Sequence, residues 1–358
     1  MHIITIIGAR PQFIKAAVLS RYIRNNPSLG ITETLLHTGQ HYDQNMSCVF
    51  FDEMEIPQPD INLQTGSGSH GKTTGLMLAR IEEVILERKP DAILVYGDTN
   101  STLAGALAAS KLHIRVVHVE AGLRSFMMEM PEEQNRRLTD HLSTWLFCPT
   151  KTAVDNLARE GIVNCKNTVP FSADNKCVAM TGDIMYDASL YYRSKSKIKI
   201  NEKDFFLLTI HRAENTDDPK RLAAICKALN ELSAYRFIFP MHPRTKKIID
   251  KEKIKLSGHI KMIEPVGYFE MLALESACTG ILTDSGGVQK EAYFFKKPCI
   301  TMRDSTEWVE LVNAGWNTLT GAEPEKIINA VNNLSIPNTY PALYGDGNCA
   351  EKICDILT

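Results

Sequence analysis

Short apolar, β-branched runs alternate with longer amphipathic segments along the whole chain, and this alternation restricts the fold more than any single motif. A short run that is apolar throughout is a strand buried on both faces, the setting that a parallel sheet covered by helices provides. In the first half the strand candidates are Ile3–Ile7, Thr34–His37, Ala92–Tyr96, Val116–Val119 and Trp145–Cys148, with helical patterns at Gln12–Arg24 and Gly75–Arg88 between them. The second half repeats the theme at Phe205–Ile210, Phe237–Met241, Lys261–Ile263, Gly280–Thr283 and Cys299–Met302. The expected class is α/β, with two Rossmann-like doubly wound sheets in tandem.

At 358 residues the chain exceeds the usual size of one hydrophobic core, so two domains are expected. Periodicity is weakest from Val163 to Asn175, and a hydrophilic stretch runs from Arg193 to Asp204. The N-terminal domain is therefore placed at 1–170, the C-terminal domain at 171–340, and a final helical segment at 341–358. A formal net charge of −2 gives no electrostatic reason to expect nucleic acid or an anionic membrane as partner. No apolar run approaches a membrane span, and the opening residues lack the flanks of a signal peptide, so a cytoplasmic protein is expected. Nine cysteines without a CxxC pair argue for reduced thiols, and ten histidines show no metal-ligand spacing, so no metal is expected.

The segment Leu282 to Glu291 (LTDSGGVQKE) runs from an apolar strand into a helical pattern. Ser285, Gly286 and Gly287 would sit where backbone N–H groups and a helix N-terminus favour phosphate, with Glu291 in the first turns placed to meet a ribose diol. The same segment also suits a tight turn with no ligand. Doubly wound sheets bind ligands at the carboxyl ends of their strands, and charged groups accumulate there in this chain. Arg10, Lys15, His211, Arg212, His242 and Arg303 fit a diphosphate clamp, and His37 to His41 closes the second strand.

The acidic groups at strand ends are Asp98, Glu120, Glu132 and Glu133. Each has an alternative use as a helix cap or a first-turn carboxylate. Grouped near a diphosphate, they suit proton abstraction and delivery. The chain has no GxSxG elbow and no Walker motif, and its first strand ends in GARPQ instead of GxGxxG, so no nicotinamide cofactor is expected.

In this order, the motifs Gly8 to Lys15 (GARPQFIK), Gly97 to Thr99 (GDT), His118 to Arg124 (HVEAGLR), Pro131 to Arg136 (PEEQNR), His211–Arg212, Thr283 to Gln289 (TDSGGVQ), Arg303 to Glu307 (RDSTE) and Tyr344 to Gly347 (YGDG) resemble the non-hydrolysing UDP-N-acetylglucosamine 2-epimerase family over nearly the whole chain. The resemblance implies a glycosyltransferase-B-like fold with an interdomain cleft, a last helix returning to the first domain, and a homodimer. It also implies a reaction. UDP leaves C1 as the C2 proton is lost, a glycal forms, and UDP adds back after a proton arrives on the opposite face. By resemblance, Asp98, Glu120, Glu132 and His211 are catalytic, Arg10 and Lys15 bind phosphate, Ser285 and Gly286 receive the diphosphate through backbone N–H groups, and Glu291 binds ribose.

Four motifs depart from the plain UDP-N-acetylglucosamine enzymes, which read GTRPE, HRREN, QEEA and TTERPE where this chain has GARPQF, HRAEN, QKEA and STEWVE. Those variants resemble the subgroup acting on UDP-2,3-diacetamido-2,3-dideoxyglucuronate, and Gln12 and Lys290 would make the site more positive for an added carboxylate. The stretch Gln64 to Lys72 (QTGSGSHGK) lacks the arginine that some members use to bind an activating UDP-sugar, so activation by that route is not expected. Hydrolysis to free sugar, transfer to an acceptor, and nucleotide-sugar sensing without turnover are the competing readings.

Overall fold

The computed structural model describes residues 1–39, 58–66, 68–165 and 170–358, and at residue 10 the backbone alone. The His37 to His41 motif thus runs past the described residues, as does the Arg10 side chain. The chain divides into two compact units, one of Met1–Ala188 with Ala342–Thr358 and one of Ser189–Pro341. Residue 170, expected as a boundary, lies inside the first unit.

The first unit is a parallel sheet of β1 (His2–Ile7), β2 (Thr32–His37), β3 (Ile61–Asn62), β4 (Ala92–Tyr96), β5 (Arg115–Val119), β6 (Trp145–Cys148) and β7 (Cys177–Met180). Its spatial order is β3-β2-β1-β4-β5-β6-β7, which reverses direction beside β1. Helices α1 (Arg10–Asn25), α2 (His70–Arg88), α3 (Asn100–Lys111), α4 (Pro131–Leu142), α5 (Lys151–Arg159) and the start of α6 (Ile184–Lys195) connect the strands. The second unit orders β8 (Phe205–Thr209), β9 (Arg236–Pro240), β10 (Ile260–Ile263), β11 (Gly280–Thr283), β12 (Cys299–Thr301) and β13 (Asn317–Leu319) as β10-β9-β8-β11-β12-β13, again all parallel. Its helices are α7 (Ala213–Thr216), α8 (Pro219–Glu231), α9 (Pro243–Lys251), α10 (Tyr268–Ala277), α11 (Gly286–Phe294), α12 (Val309–Asn313) and α13 (Pro324–Asn332). The last helix, α14 (Cys349–Leu357), belongs to the first unit.

Burial explains why these segments take these forms. Every residue of β4 is buried, as are Ile3, Ile4, Ile6 and Ile7 of β1, so both faces of the central strands are covered. Helix α2 buries Met77, Ile81 and Ile85 at four-residue spacing against that sheet. At about 1.5–3 kcal/mol for each large apolar side chain, this stripe outweighs the helix's weak end signals. Thr99 and Thr150 cap α3 and α5 by accepting from Thr102 N at 3.3 Å and Ala153 N at 3.2 Å. The last segment docks through backbone groups: Asp183 N donates to Tyr344 O at 3.0 Å, and Ala350 N donates to Asp187 Oδ2 at 3.0 Å. A Cβ on Gly182, where φ is +91°, would lie 2.8 Å from Tyr344 O, so this approach requires glycine.

Among the described residues all eight cysteines are free and no cluster of metal-ligating side chains occurs. No described helix is long and apolar enough to cross a membrane.

Candidate active site

In the first unit the functional groups gather at the carboxyl ends of β1, β4 and β5 and at the start of α4. Pro11 in the first turn of α1 sets the helix that carries Lys15 back across the sheet, where its ammonium donates to Glu120 Oε2. Glu120 follows β5 with φ of +75°, a conformation uncommon for a residue with a Cβ, and its N–H donates to Phe147 O at 3.0 Å. Strain of this kind persists where the surroundings hold a side chain for a task. Gly97 turns the chain at the end of β4, and its φ of +62° places Asp98 beside that pair.

Arg136 Nη2 donates to Asp98 Oδ2 at 2.6 Å, and Asn135 Nδ2 donates to the Asp98 carbonyl at 2.9 Å. Burial is the main influence on Asp98 and lifts its carboxyl above the ordinary range; Arg136 and Lys15 pull it down, while Glu120 and Glu132 push it further up. The side chain keeps 36% exposure, so solvent tempers each of these effects. The four expected groups Lys15, Asp98, Glu120 and Glu132 therefore form one electrostatic cluster.

The adjacent acids of α4 have opposite fates. Glu132 is exposed and acts on Asp98 through its charge. Glu133 is fully buried and accepts from Ser125 N at 2.8 Å, Ser125 Oγ at 2.9 Å and Arg137 Nε at 3.0 Å. Beneath the cluster lies a network that sequence reasoning did not assign. His118 is buried, with Nε2 at 2.8 Å from Gly97 O and Nδ1 at 2.7 Å from Asp140 Oδ1. Asp140 Oδ2 accepts from Arg124 Nη1 at 2.7 Å and from Gly122 N at 3.2 Å, and Arg124 grips Glu160 with two bonds of 2.8 Å. The available signal was the charged stripe Glu132, Arg136 and Asp140 at four-residue spacing on α4.

The second unit presents a different chemistry. Buried Asp284, just past β11, accepts His211 N at 3.0 Å, Arg212 N at 3.0 Å and Asn215 Nδ2 at 3.2 Å, and its Oδ1 lies 3.3 Å from His211 Nδ1. Burial lowers the His211 pKa, against the pull of Asp284, and the charges of Arg212, His242 and Arg244 lower it further. The His211 and His242 rings lie 5.6 Å apart and line a cavity of about 320 Å³ with Ile210, Pro265, Met271 and Val288. His242 is exposed and its Nδ1 caps α9, accepting from Arg244 N at 3.2 Å, which leaves its other nitrogen for a ligand.

Ser285 caps α11 through Val288 N at 3.5 Å, and its own N–H donates to Thr283 Oγ1 at 2.9 Å. The Ser285 N–H expected to meet a phosphate is thus already engaged. The backbone donors at this helix start are those of Gly286 and Gly287, which have no acceptor within the helix. A Cβ on Gly286 would lie 2.5 Å from Glu307 Oε1 and 3.5 Å from Arg212 Nη2, so Arg212 stands beside the helix start. Arg303 is bound by Glu307 at 2.9 Å and lies 3.7 Å from Glu214, so a phosphate reaching it must share it with carboxylates. Glu291 is buried on α11.

A family model described as UDP-N-acetylglucosamine 2-epimerase matches residues 23–358. The chain belongs to the UDP-N-acetylglucosamine 2-epimerase family. It is 51% identical to a UDP-N-acetylglucosamine 2-epimerase homolog of Methanococcus maripaludis, over 100% of this chain and 99% of that one. It is also 51% identical, with the same coverage of both chains, to the UDP-2,3-diacetamido-2,3-dideoxy-D-glucuronate 2-epimerase of Pseudomonas aeruginosa. The crystal structure of Methanocaldococcus jannaschii UDP-GlcNAc 2-epimerase in complex with UDP-GlcNAc and UDP matches with a TM-score of 0.82 and 44% identity, covering 100% of this chain and 99% of that chain. The glycosyltransferase-B-like class of two Rossmann-like sheets, expected from sequence, is the fold of this family.

Two of the variant positions are buried. Gln12 is 2% exposed; its Oε1 accepts from Gly8 N at 2.8 Å and Ala9 N at 3.0 Å, and its Nε2 donates to Tyr96 O at 2.7 Å and to Thr99 and Thr102 at 3.0 Å. Lys290 is 5% exposed, with its ammonium 4.4 Å from the centre of the Trp308 ring. Both side chains are enclosed by their neighbours.

Proposed function

We propose that this chain inverts C2 of a UDP-N-acetylhexosamine by elimination and re-addition of UDP. The observation that carries this reading is the cluster of Asp98, Glu120 and Glu132 around Lys15, a set of carboxylates with one raised pKa and one ammonium-bound member. Elimination breaks the C2–H and C1–O bonds and forms C1=C2, with the proton passing to a carboxylate and the electron pair to UDP. Re-addition reverses each change after a proton reaches the other face of C2. Carboxylates in distinct environments suit taking a proton on one face and returning one on the other.

The diphosphate end is assigned to the second unit. The N–H groups of Gly286 and Gly287 and the positive end of α11 stabilise the charge that develops on the leaving group, with Arg212 and Arg303 beside them. His211, held by Asp284 and kept neutral by its surroundings, donates one hydrogen bond without adding a full charge. Glu291 accepts from the ribose, and the walls of the cavity beside His211 suit an apolar base face.

Nuclear magnetic resonance in deuterium oxide tests the proposal. UDP-N-acetylglucosamine and UDP-2,3-diacetamido-2,3-dideoxyglucuronate are each incubated with the purified protein. The expected result is deuterium at C2 with growth of the manno isomer from one of them, and no free sugar. A preparation that binds UDP but exchanges no C2 proton would rule the reaction out. The homodimer and cytoplasmic setting are part of the same proposal, and a monomer mass by light scattering would remove the dimer.

A further inference from the structure

Asp140 is buried in the last turn of α4 and takes no part in the proposed reaction, yet its two oxygens serve two different turns of the chain. Oδ1 lies 2.7 Å from His118 Nδ1, and the opposite nitrogen of that ring donates to Gly97 O at 2.8 Å. The Gly97 N–H in turn donates to Val119 O at 3.0 Å, so the peptides on both sides of Gly97 are tied to β5. Asp98 is the next residue. Oδ2 accepts from Gly122 N at 3.2 Å, two residues past Glu120. The chain has no slack at Gly122: φ is +80°, a Cβ there would lie 2.4 Å from Ala153 O, and Asn156 Nδ2 donates to Gly122 O at 3.1 Å. One carboxylate thus reaches the turn that carries Asp98, through His118, and the turn that carries Glu120, directly.

We propose that Asp140 is a positioning residue that sets the spacing between Asp98 and Glu120, by fixing the turn after β4 and the turn after β5 to one helix. This rests on the reading of those two carboxylates as groups that move the C2 proton, and adds what holds them in register. Helix α4 suits the task, because Glu132, Arg136 and Asp140 follow one another on it at four-residue intervals. Arg136 Nη2 donates to Asp98 Oδ2 at 2.6 Å, and Asn135 Nδ2 donates to the Asp98 carbonyl at 2.9 Å. All three carboxylates of the cluster are thereby referred to the same helix. The anchor is stiff. His118 and Asp140 are both 0% exposed, and Arg124 Nη1 donates to Asp140 Oδ2 at 2.7 Å while Glu160 grips the rest of the guanidinium. Buried, charge-assisted hydrogen bonds of this kind are short and strong. The chemistry needs that stiffness: a proton leaves one face of C2 and another arrives on the opposite face, and a misplacement of about 1 Å costs about 100-fold in rate.

The test follows, in deuterium oxide, the UDP-sugar that the wild-type chain epimerises, and reads two rates together: entry of deuterium at C2 of the recovered substrate and formation of the manno isomer. Their ratio reports how the intermediate divides between the two faces, and it does not depend on how much of the protein is folded. Asp140→Asn has one acceptor oxygen where the carboxylate has two, so it cannot serve both turns. His118→Phe cuts the Asp98 arm alone and leaves Gly122 and Arg124 on Asp140. In both variants kcat is expected to fall about 10- to 100-fold with KM within about threefold, and the ratio of exchange to epimerisation is expected to change by about threefold or more. UDP affinity by calorimetry is expected to stay within about threefold, because the diphosphate end is assigned to the second unit. A lowered kcat with an unchanged ratio would overturn the proposal, since a loss of folded protein lowers both rates alike, and so would wild-type kcat in Asp140→Asn. Failure of the underlying reading shows separately, as no C2 exchange of either UDP-sugar by the wild-type chain itself.

Discussion

Arg136 Nη2 and Asp98 Oδ2 are 2.6 Å apart, and the same guanidinium lies 3.5 Å from buried Glu133. One arginine thus ties a carboxylate of the candidate site to a carboxylate of the scaffold. This arrangement makes Arg136 a positioning residue that also restrains the upward shift of the Asp98 pKa.

Replacing Arg136 with Met removes the nearest cation, so the Asp98 pKa rises further. The limb of the pH–rate profile that reports Asp98 is expected to move to higher pH, with kcat lowered about 10- to 100-fold at neutral pH. Steady-state rates over the accessible pH range check this. A profile that superimposes on wild type would show that the contact has no electrostatic role.

His118 joins Gly97, the residue before Asp98, to Asp140. Burial works to raise Asp140, but His118 and Arg124 hold its carboxyl below the ordinary range. His118→Phe leaves the Asp140 carboxylate and the Gly97 carbonyl without their shared partner. The expected loss of stability is about 2–3 kcal/mol, the scale of two buried hydrogen bonds left unmade, since Arg124 still holds Asp140. Urea unfolding measures it, and a loss below about 1 kcal/mol would mean that the network relaxes around the gap.

Gly286→Ala tests the start of α11. The added methyl carbon would lie 2.5 Å from Glu307 Oε1, so Glu307 must move, and Arg303, which donates to it at 2.9 Å, moves with it. UDP affinity is expected to fall about tenfold or more, with the far-ultraviolet circular dichroism unchanged. Calorimetry with UDP decides, and unchanged affinity would take the diphosphate away from this helix end.

Asp187 holds the first turn of α14 through Ala350 N, yet its other oxygen is buried without a hydrogen bond. Burial pushes its pKa from 3.8 up to about 6, against the backbone N–H groups of Ala350 and Cys349. The folded chain then holds this proton more tightly than the unfolded chain, so stability falls as pH rises from about 3.8 through about 6. Asp187→Asn keeps an acceptor for Ala350 and loses the titration. It is expected to be about 2 kcal/mol more stable than wild type at pH near 8, with the advantage gone near pH 4. Thermal unfolding at the two pH values checks the sign.

The strands were legible because apolar, β-branched runs admit few structures: Ala92–Tyr96, Trp145–Cys148 and Gly280–Thr283 have the bounds expected of them. The glycines of Gly97–Asp98 and Ser285–Gly286–Gly287 likewise announced turns where backbone must bend or meet a ligand. The support of the site was not legible. Glu132 and Glu133 are adjacent and chemically alike, yet one is exposed and the other fully buried, because successive helical positions differ by about 100° in direction. The enclosure of Gln12 and Lys290 by neighbours distant in sequence was likewise not legible.

By itself the sequence determined the α/β class, the tandem sheets, the strand ends that carry charge, and the family. These follow from local pattern and from motifs whose order survives in the linear chain. Only the tertiary structure decided that Lys15 meets Glu120, that Arg136 restrains Asp98, and that His118 bonds Asp140. Those relations join residues far apart along the chain, and their energies depend on burial and on distances of a few ångströms, which appear only when the sheets are assembled.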